Sequence, residues 1–234
     1  MKRRALLLGA GAVLLGRGVR AQPATVIVER AVVRFWTPDT GGVRSPHFVY
    51  ARALAFEARV EALADAYRGS SALPYRDRHV TDALERHIAE SVLAGLRIDP
   101  EPSGDELTRQ MQAARARLEQ RAGGAEALDA AAAAEGLGLR DLLEITRRQA
   151  RASLYLDRMV APMLAPNRAE LMLLHRTRNT PFRALPFEQI EPGLRRWYVS
   201  QRLAGAVQSF YQNARGRIVF TQLAELPAGA SPTW

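Results

Sequence analysis

The sequence predicts a mainly α fold: a helical module closed by a small β-sheet that pairs a strand near the N-terminus with one near the C-terminus. Three observations predict it. Apolar residues recur at helical spacing through most of residues 77–214, for example at Val80, Leu84, Ile88, Val92 and Leu96. β-branched and aromatic runs stand at the two extremities, Ala31-Val32-Val33-Arg34-Phe35-Trp36 and Arg217-Ile218-Val219-Phe220-Thr221-Gln222-Leu223. Two such strands leave ladder groups that must be satisfied, and with no other partner apparent they are expected to pair with each other.

Taken in order, Val26, Ile27 and Val28 with residues 31–36 read as one strand, interrupted near Glu29 and Arg30. Pro38-Asp39-Thr40-Gly41-Gly42 is turn chemistry. Ser45 followed by Pro46 reads as a helix cap with proline at the first helical position, so the first helix is expected to run from there to Tyr67. Residues 68–75, with Gly69, two serines and Pro74, read as a loop. A second helix spans 77–96 and ends at Asp99-Pro100-Glu101-Pro102. Ser103 with Glu106 three residues on has the pattern of a capping box, and Leu107, Met111, Ala114 and Leu118 form the apolar face of the helix that follows. Gly123 and Gly124 end it. Residues 125–134 form a short alanine-rich helix, and Gly136 and Gly138 punctuate again. One long helix is expected from Leu139 to Met163. Pro162 and Pro166 mark a hinge, Asn167 caps a short helix to Arg176, and residues 178–186 are a loop. The last helix runs from Phe187 to Ala214 with Pro192 in its first turns, and the tail from Pro227 is short and rich in small residues.

The first 21 residues have the layout of a secretory signal. Lys2, Arg3 and Arg4 lead an apolar stretch from Leu6 to Leu15, and Val19-Arg20-Ala21 offers a small residue for cleavage. The stretch is too short and too broken by Gly9 and Gly11 for a stable membrane span. The expected mature chain starts at Gln22, outside the cytoplasm, with no stable membrane insertion. General secretion is the favoured route, and Arg3-Arg4 leaves a twin-arginine route open. The formal charge is +9, but five of the 33 basic residues fall in this leader, leaving 28 basic against 24 acidic residues. A strongly basic chain suggests nucleic acid. Export and the modest mature charge argue against such a partner. The arginines alternate with acids along helical segments, as a solvated face does. The chain has no cysteine, which removes disulfides and thiolate chemistry.

The order of elements, with residues 81–88 (Thr-Asp-Ala-Leu-Glu-Arg-His-Ile), Ser103-Gly104-Asp105-Glu106-Leu107, Ala133-Ala134-Glu135-Gly136-Leu137 and Leu139-Arg140-Asp141-Leu142-Leu143, resembles the N-terminal chaperone module of the SurA-type periplasmic folding factors, relatives of the parvulin prolyl isomerases. Pro186-Phe187-Glu188-Gln189-Ile190, Leu194-Arg195 and Ala214-Arg215-Gly216-Arg217-Ile218 resemble its closing helix and strand. The likeness covers most of the mature chain. It implies a periplasmic module that binds unfolded exported or outer-membrane proteins. In that family parvulin domains usually sit between the long helix and the closing helix. Here the interval, residues 165–186, is too short for a domain of about 50 residues or more. The resemblance therefore implies a chaperone without isomerase activity and without catalytic residues. The expected organisation is a leader at 1–21, a strand and helical core at 22–164, a hinge and short helix at 165–186, a closing helix and strand at 187–224 and a tail at 225–234.

No local pattern suggests a metal or cofactor site. His79 and His87 lie eight apart rather than four, and they read as surface or packing residues. His47 opens the expected first helix and His175 lies near the hinge, each without a local triad partner. Glycine-rich phosphate loops are absent from the pattern. The carboxylates, such as Glu85 beside Arg86, read as solvated ion pairs. The candidate client-binding residues are aromatics and methionines: Trp36, Met159, Met163, Met172, Trp197, Tyr198 and Tyr211. Adjacent aromatics cannot share one helical stripe, and methionine suits surfaces that accept varied partners. The expected function is an ATP-independent holdase. An exported assembly subunit with one dedicated partner is the alternative.

Overall fold

The computed structural model describes residues 29–67, 74–177 and 180–227. Val26, Ile27 and Val28, the leader, most of the 68–75 loop and most of the tail lie outside the described residues. Within them the chain is mainly helical with one small antiparallel sheet. The strands are β1 (Ala31–Trp36), β2 (His47–Tyr50) and β3 (Val219–Gln222), and β1 lies in the middle. The expected pairing of the two extremities is present: Trp36 opposes Val219, Phe35 opposes Phe220, Arg34 opposes Thr221 and Val33 opposes Gln222.

β2 is a correction to the sequence reading. Ser45-Pro46 does not start a helix. His47, expected to open that helix, lies in β2 opposite Phe35 and stacks on its ring at 5.1 Å between centroids. The physical reason is the free edge of β1. With β3 on one side only, a row of β1 backbone groups would stay unpaired, and residues 47–50 satisfy them. An irregularity between Ala31 and Val33 breaks strict alternation, so Val32 and Val33 are both buried.

The helices are α1 (Ala51–Tyr67), α2 (Asp77–Gly95), α3 (Gly104–Ala122), α4 (Ala125–Ala134), α5 (Leu139–Tyr155), α6 (Arg168–Thr177) and α7 (Phe187–Arg215). Several starts are capped as the sequence requires. Ser103 Oγ accepts from the Glu106 backbone N–H at 3.2 Å. Asn167 Oδ1 accepts from the Glu170 N–H, while the Glu170 carboxylate accepts from the Asn167 N–H, both at 2.9 Å. Gly123, at φ 92°, supplies the left-handed residue that ends α3. The long helix expected to reach Met163 does not keep its α hydrogen bonding. It passes at Leu156 into a π turn (Leu156–Val160) and then a 3-10 turn (Ala161–Leu164). Pro162 lacks an N–H, so a regular ladder could not pass through it.

Three apolar clusters organise the interior. Val32, Val33, Phe35 and Val49 of the sheet pack against Leu54 and Ala58 of α1 and Val80, Leu84, Ile88 and Val92 of α2. Phe56 and Val60 on another side of α1 meet α3, α4 and α5 through Leu118, Leu128, Ala132, Leu142 and Ile145. A third cluster stands apart, where Leu171 and Leu174 of α6 pack on Phe187, Ile190 and Leu194 of α7.

Candidate functional site

The long helix α7 shapes the site. Its 29 residues make a rod about 43 Å long. Both ends are seated. At the first end Phe187, Ile190 and Leu194 pack on α6, and Arg195 donates to the Pro166 carbonyl at 2.6 Å. Toward the other end Phe210 packs on the sheet cluster, and the Arg215 guanidinium lies 3.9 Å from Glu85 of α2. Between the seats the face of α7 toward α2 carries Ser200, Leu203, Ala204, Val207 and Gln208, and these do not close the space to α2, so a cleft remains.

This cleft, of about 580 Å³, has Leu203, Ala204 and Val207 of α7 on one wall and Ala89 and Leu156 opposite, with Asp82, Glu85, Ser200 and Gln208 around them. Through Arg86, Ala89, Leu156 and Val207 it continues into an inner pocket of about 290 Å³. There Arg117 and Arg121 of α3 and Gln149 and Ser153 of α5 line the wall. The arrangement offers an apolar trough open to solvent along its length, with polar groups at both ends.

Beneath the inner pocket lies a charged network. The carboxylates in general read as solvated ion pairs and His87 as a surface or packing residue; Glu57, His87, Glu90 and Arg148 join α1, α2 and α5 inside the protein, with His87 in the packing role. Glu57 is buried; its carboxylate takes Arg148 Nη2, and His87 Nδ1 lies 3.1 Å from its Oε2. Arg148 Nε donates to Glu90 Oε2 at 3.3 Å, and its Nη1 lies 3.4 Å from His87 Nε2. A carboxylate on one side and a guanidinium on the other set the ring: Nδ1–H donates to Glu57 and Nε2 accepts from Arg148. Burial lowers the His87 pKa, the Arg148 charge lowers it further, and the ring is neutral near pH 7. Burial alone would raise the Glu57 carboxyl; the charge of Arg148, then His87, bring it down to about 2. For Glu90 burial wins over the attraction of Arg148, and its pKa is raised. With both His87 nitrogens engaged, the network acts as a brace between helices.

A second brace adjoins it. Glu61, 8 % exposed, takes Arg86 and Arg121 on the same carboxylate oxygen. Of the surface and packing roles left open for it, His79 takes the packing one: its Nδ1 accepts from the Arg76 N–H at 2.9 Å, and its Nε2 lies 3.2 Å from Asp65. A signal for these residues was present in the sequence. Glu57 falls three residues from both Leu54 and Val60, inside an apolar stripe, where a solvated charge has no place. Among the described residues no group of three or more His, Asp or Glu side chains is placed to hold a metal ion.

The sequence-nominated residues scatter. Trp197 and Tyr198 are half-buried against the α6–α7 cluster, and the Arg202 guanidinium lies 5.4 Å from the Tyr198 ring. Met172 is exposed on α6 and Met163, 76 % exposed, lies in the 3-10 turn. Met159 is half-buried in the π turn, and Trp36 is half-buried opposite Val219. The side chain of Tyr211 lies outside the described residues. The described lining of the cleft comes instead from Leu156, Leu203, Ala204 and Val207. His175 bonds locally, its Nε2 3.0 Å from the Leu185 carbonyl oxygen.

Compared with protein-family models, curated proteins and solved structures, the chain matches none of them.

Proposed function

We propose that the protein is an ATP-independent holdase that works outside the cytoplasm on unfolded exported or outer-membrane proteins. The observation that carries this reading is the apolar trough beneath α7, a helix fixed at its two ends and spaced from α2 between them. Such a trough favours a chain that still exposes apolar segments over one that has buried them, because covering that surface releases water from both partners. Release follows when the client buries its own surface, so no nucleotide step is required. The described residues between the long helix and the closing helix hold α6 and a turn, and on the SurA-type resemblance this interval is where an isomerase domain would be inserted. The resemblance to SurA-type modules supports the same reading, as does the leader pattern of the first 21 residues.

The test is light scattering of a chemically unfolded outer-membrane protein diluted with and without the purified protein, in the absence of ATP. Suppression at near-stoichiometric amounts is expected. Val207→Asp, which sets a charge in the apolar wall, is expected to remove suppression while leaving the circular dichroism unchanged. Absence of suppression by the wild-type protein would move the reading to an assembly subunit with one dedicated partner.

A further inference from the structure

Charge is unevenly distributed along the cleft. Its outer stretch carries Asp82 and Glu85 on α2, with Arg86 at the junction with the inner pocket and Arg215 3.9 Å from Glu85. Its inner pocket carries three guanidiniums, Arg86 of α2 and Arg117 and Arg121 of α3, against one lining carboxylate, Glu90, which is already held by Arg148. Behind the wall Arg86 and Arg121 share a single oxygen of Glu61. Among the described residues Arg117 makes one hydrogen bond, to Ser153 Oγ at 3.3 Å, and it also acts at longer range on Asp157, an exposed residue of the π turn outside the pocket lining. A guanidinium carries five N–H donors, so these three have donors left over where they meet the pocket. Leu93, Leu156 and Val207 line the same pocket and offer apolar flanks beside the guanidiniums.

We propose that this inner pocket is a carboxylate subsite, so that the preferred client segment is apolar with an internal Asp or Glu. The carboxylate would sit between Arg117 and the Arg86–Arg121 pair, while the flanking apolar side chains lie along Leu203, Ala204 and Val207. The outer stretch has no surplus of cations, with Asp82 and Glu85 against Arg86 and Arg215, so the inner pocket is where a client carboxylate is drawn. This inference rests on the holdase reading and narrows it from any apolar segment to one of defined charge.

The experiment uses two synthetic peptides of one apolar sequence, differing only in a central Glu or Gln and carrying an uncharged dye. Their binding to the full protein is followed by fluorescence anisotropy at low and high salt. The Glu peptide is expected to bind about tenfold more tightly at low salt, the usual scale for a charge-assisted hydrogen bond, with the advantage shrinking at high salt. Arg117→Gln is expected to remove most of that advantage, read as the ratio of the two peptide affinities within the variant. Arg117→Glu is expected to reverse the preference. Because Arg117 is exposed and makes one side-chain bond, both variants should fold, as circular dichroism would verify. Equal binding of the two peptides by the wild-type protein overturns the subsite and leaves the holdase standing. So does a full Glu advantage retained in Arg117→Gln. If neither peptide binds while aggregation is also unsuppressed, the holdase reading itself has failed.

Discussion

The block formed by α1 to α5 and the arm formed by α6 and α7 are built from similar amphipathic helices but tied in different ways. The block is crossed by charge: Glu57, Glu90 and Arg148 join α1, α2 and α5, and Glu61 joins α1 to α2 and α3 through Arg86 and Arg121. Apolar clusters lie on both sides of these braces. The arm has one small cluster of its own, Leu171, Leu174, Phe187, Ile190 and Leu194, its internal ion pairs, such as Arg195 with Glu191, are partly solvated, and Arg215 reaches Glu85 of the block. Buried ion pairs are directional and cannot slide without leaving a charge unmatched, whereas an apolar contact tolerates small displacements. The difference teaches why the cleft lies where it does: it runs along the seam between a block crossed by buried ion pairs and an arm seated on it only at its ends.

The strongest way to break this contrast is Arg148→Met. The substitution keeps bulk and leaves two carboxylates, Glu57 and Glu90, without their cation. Removing one partner of a buried pair destabilises by about 3–5 kcal/mol, and here the loss should appear as a lower urea midpoint for the block. An unchanged midpoint would mean that the network contributes nothing net. In the arm the matching change is Leu194→Ala, since Leu194 is fully buried. A Leu→Ala cavity is worth about 3 kcal/mol. If the arm opens separately, backbone amides of α6 and the first half of α7 should exchange faster while those of α2 and α5 stay protected. Faster exchange everywhere would show that block and arm unfold as one.

Acid sharpens the comparison from the side of the block. The Glu57 carboxyl is depressed from 4.5 to about 2, so the unfolded chain binds more protons between those values. Stability from this group is present above about pH 4.5 and is lost as pH falls toward 2, by at most about 3 kcal/mol. His87, lowered from 6.5 by burial and by Arg148, works in the same sense and begins to remove stability as pH drops below 6.5. Glu90 is raised and runs the other way, contributing stability at low pH that fades as pH rises through its folded value. A thermal melt series from pH 7 to 2.5 should therefore show a gentle decline first and a steep one below about 4.5. Glu57→Gln should flatten the steep limb.

Local chemistry made much of the fold legible. The pairing of β1 with β3 followed from two β-branched runs in an otherwise helical pattern, and α4 and the caps at Ser103 and Asn167 followed from glycine pairs and capping residues. β2 was not legible, because Ser45-Pro46 is also good helix-start chemistry and His47-Phe48-Val49-Tyr50 runs straight into α1. Only the unpaired edge of β1, a tertiary demand, makes those four residues a strand. The brace at Glu57 was half legible: its place in an apolar stripe announces burial, but its cation comes from Arg148, 91 residues further on. The cleft was least legible of all. Ser200 and Ala204 on the cleft face of α7 signal close approach as readily as they signal a gap, and what decides is that the helix is seated at both ends.

The smallest expected effect separates the two regions most cleanly, because it applies the same chemistry to each. Ser103 caps α3 in the block and Asn167 caps α6 in the arm, each through its side-chain oxygen to an N–H three residues on. Replacing either by alanine removes one cap and should destabilise its helix by about 1 kcal/mol. α3 packs along α5, so Ser103→Ala should lower the global urea midpoint. If the arm is the weaker unit, Asn167→Ala should leave that midpoint in place and appear only as faster amide exchange in α6 and at the base of α7. Equal shifts of the global midpoint would make the arm part of the block's cooperative unit. The cleft would then be a rigid trough, and its opening and closing could not adjust to clients of different bulk.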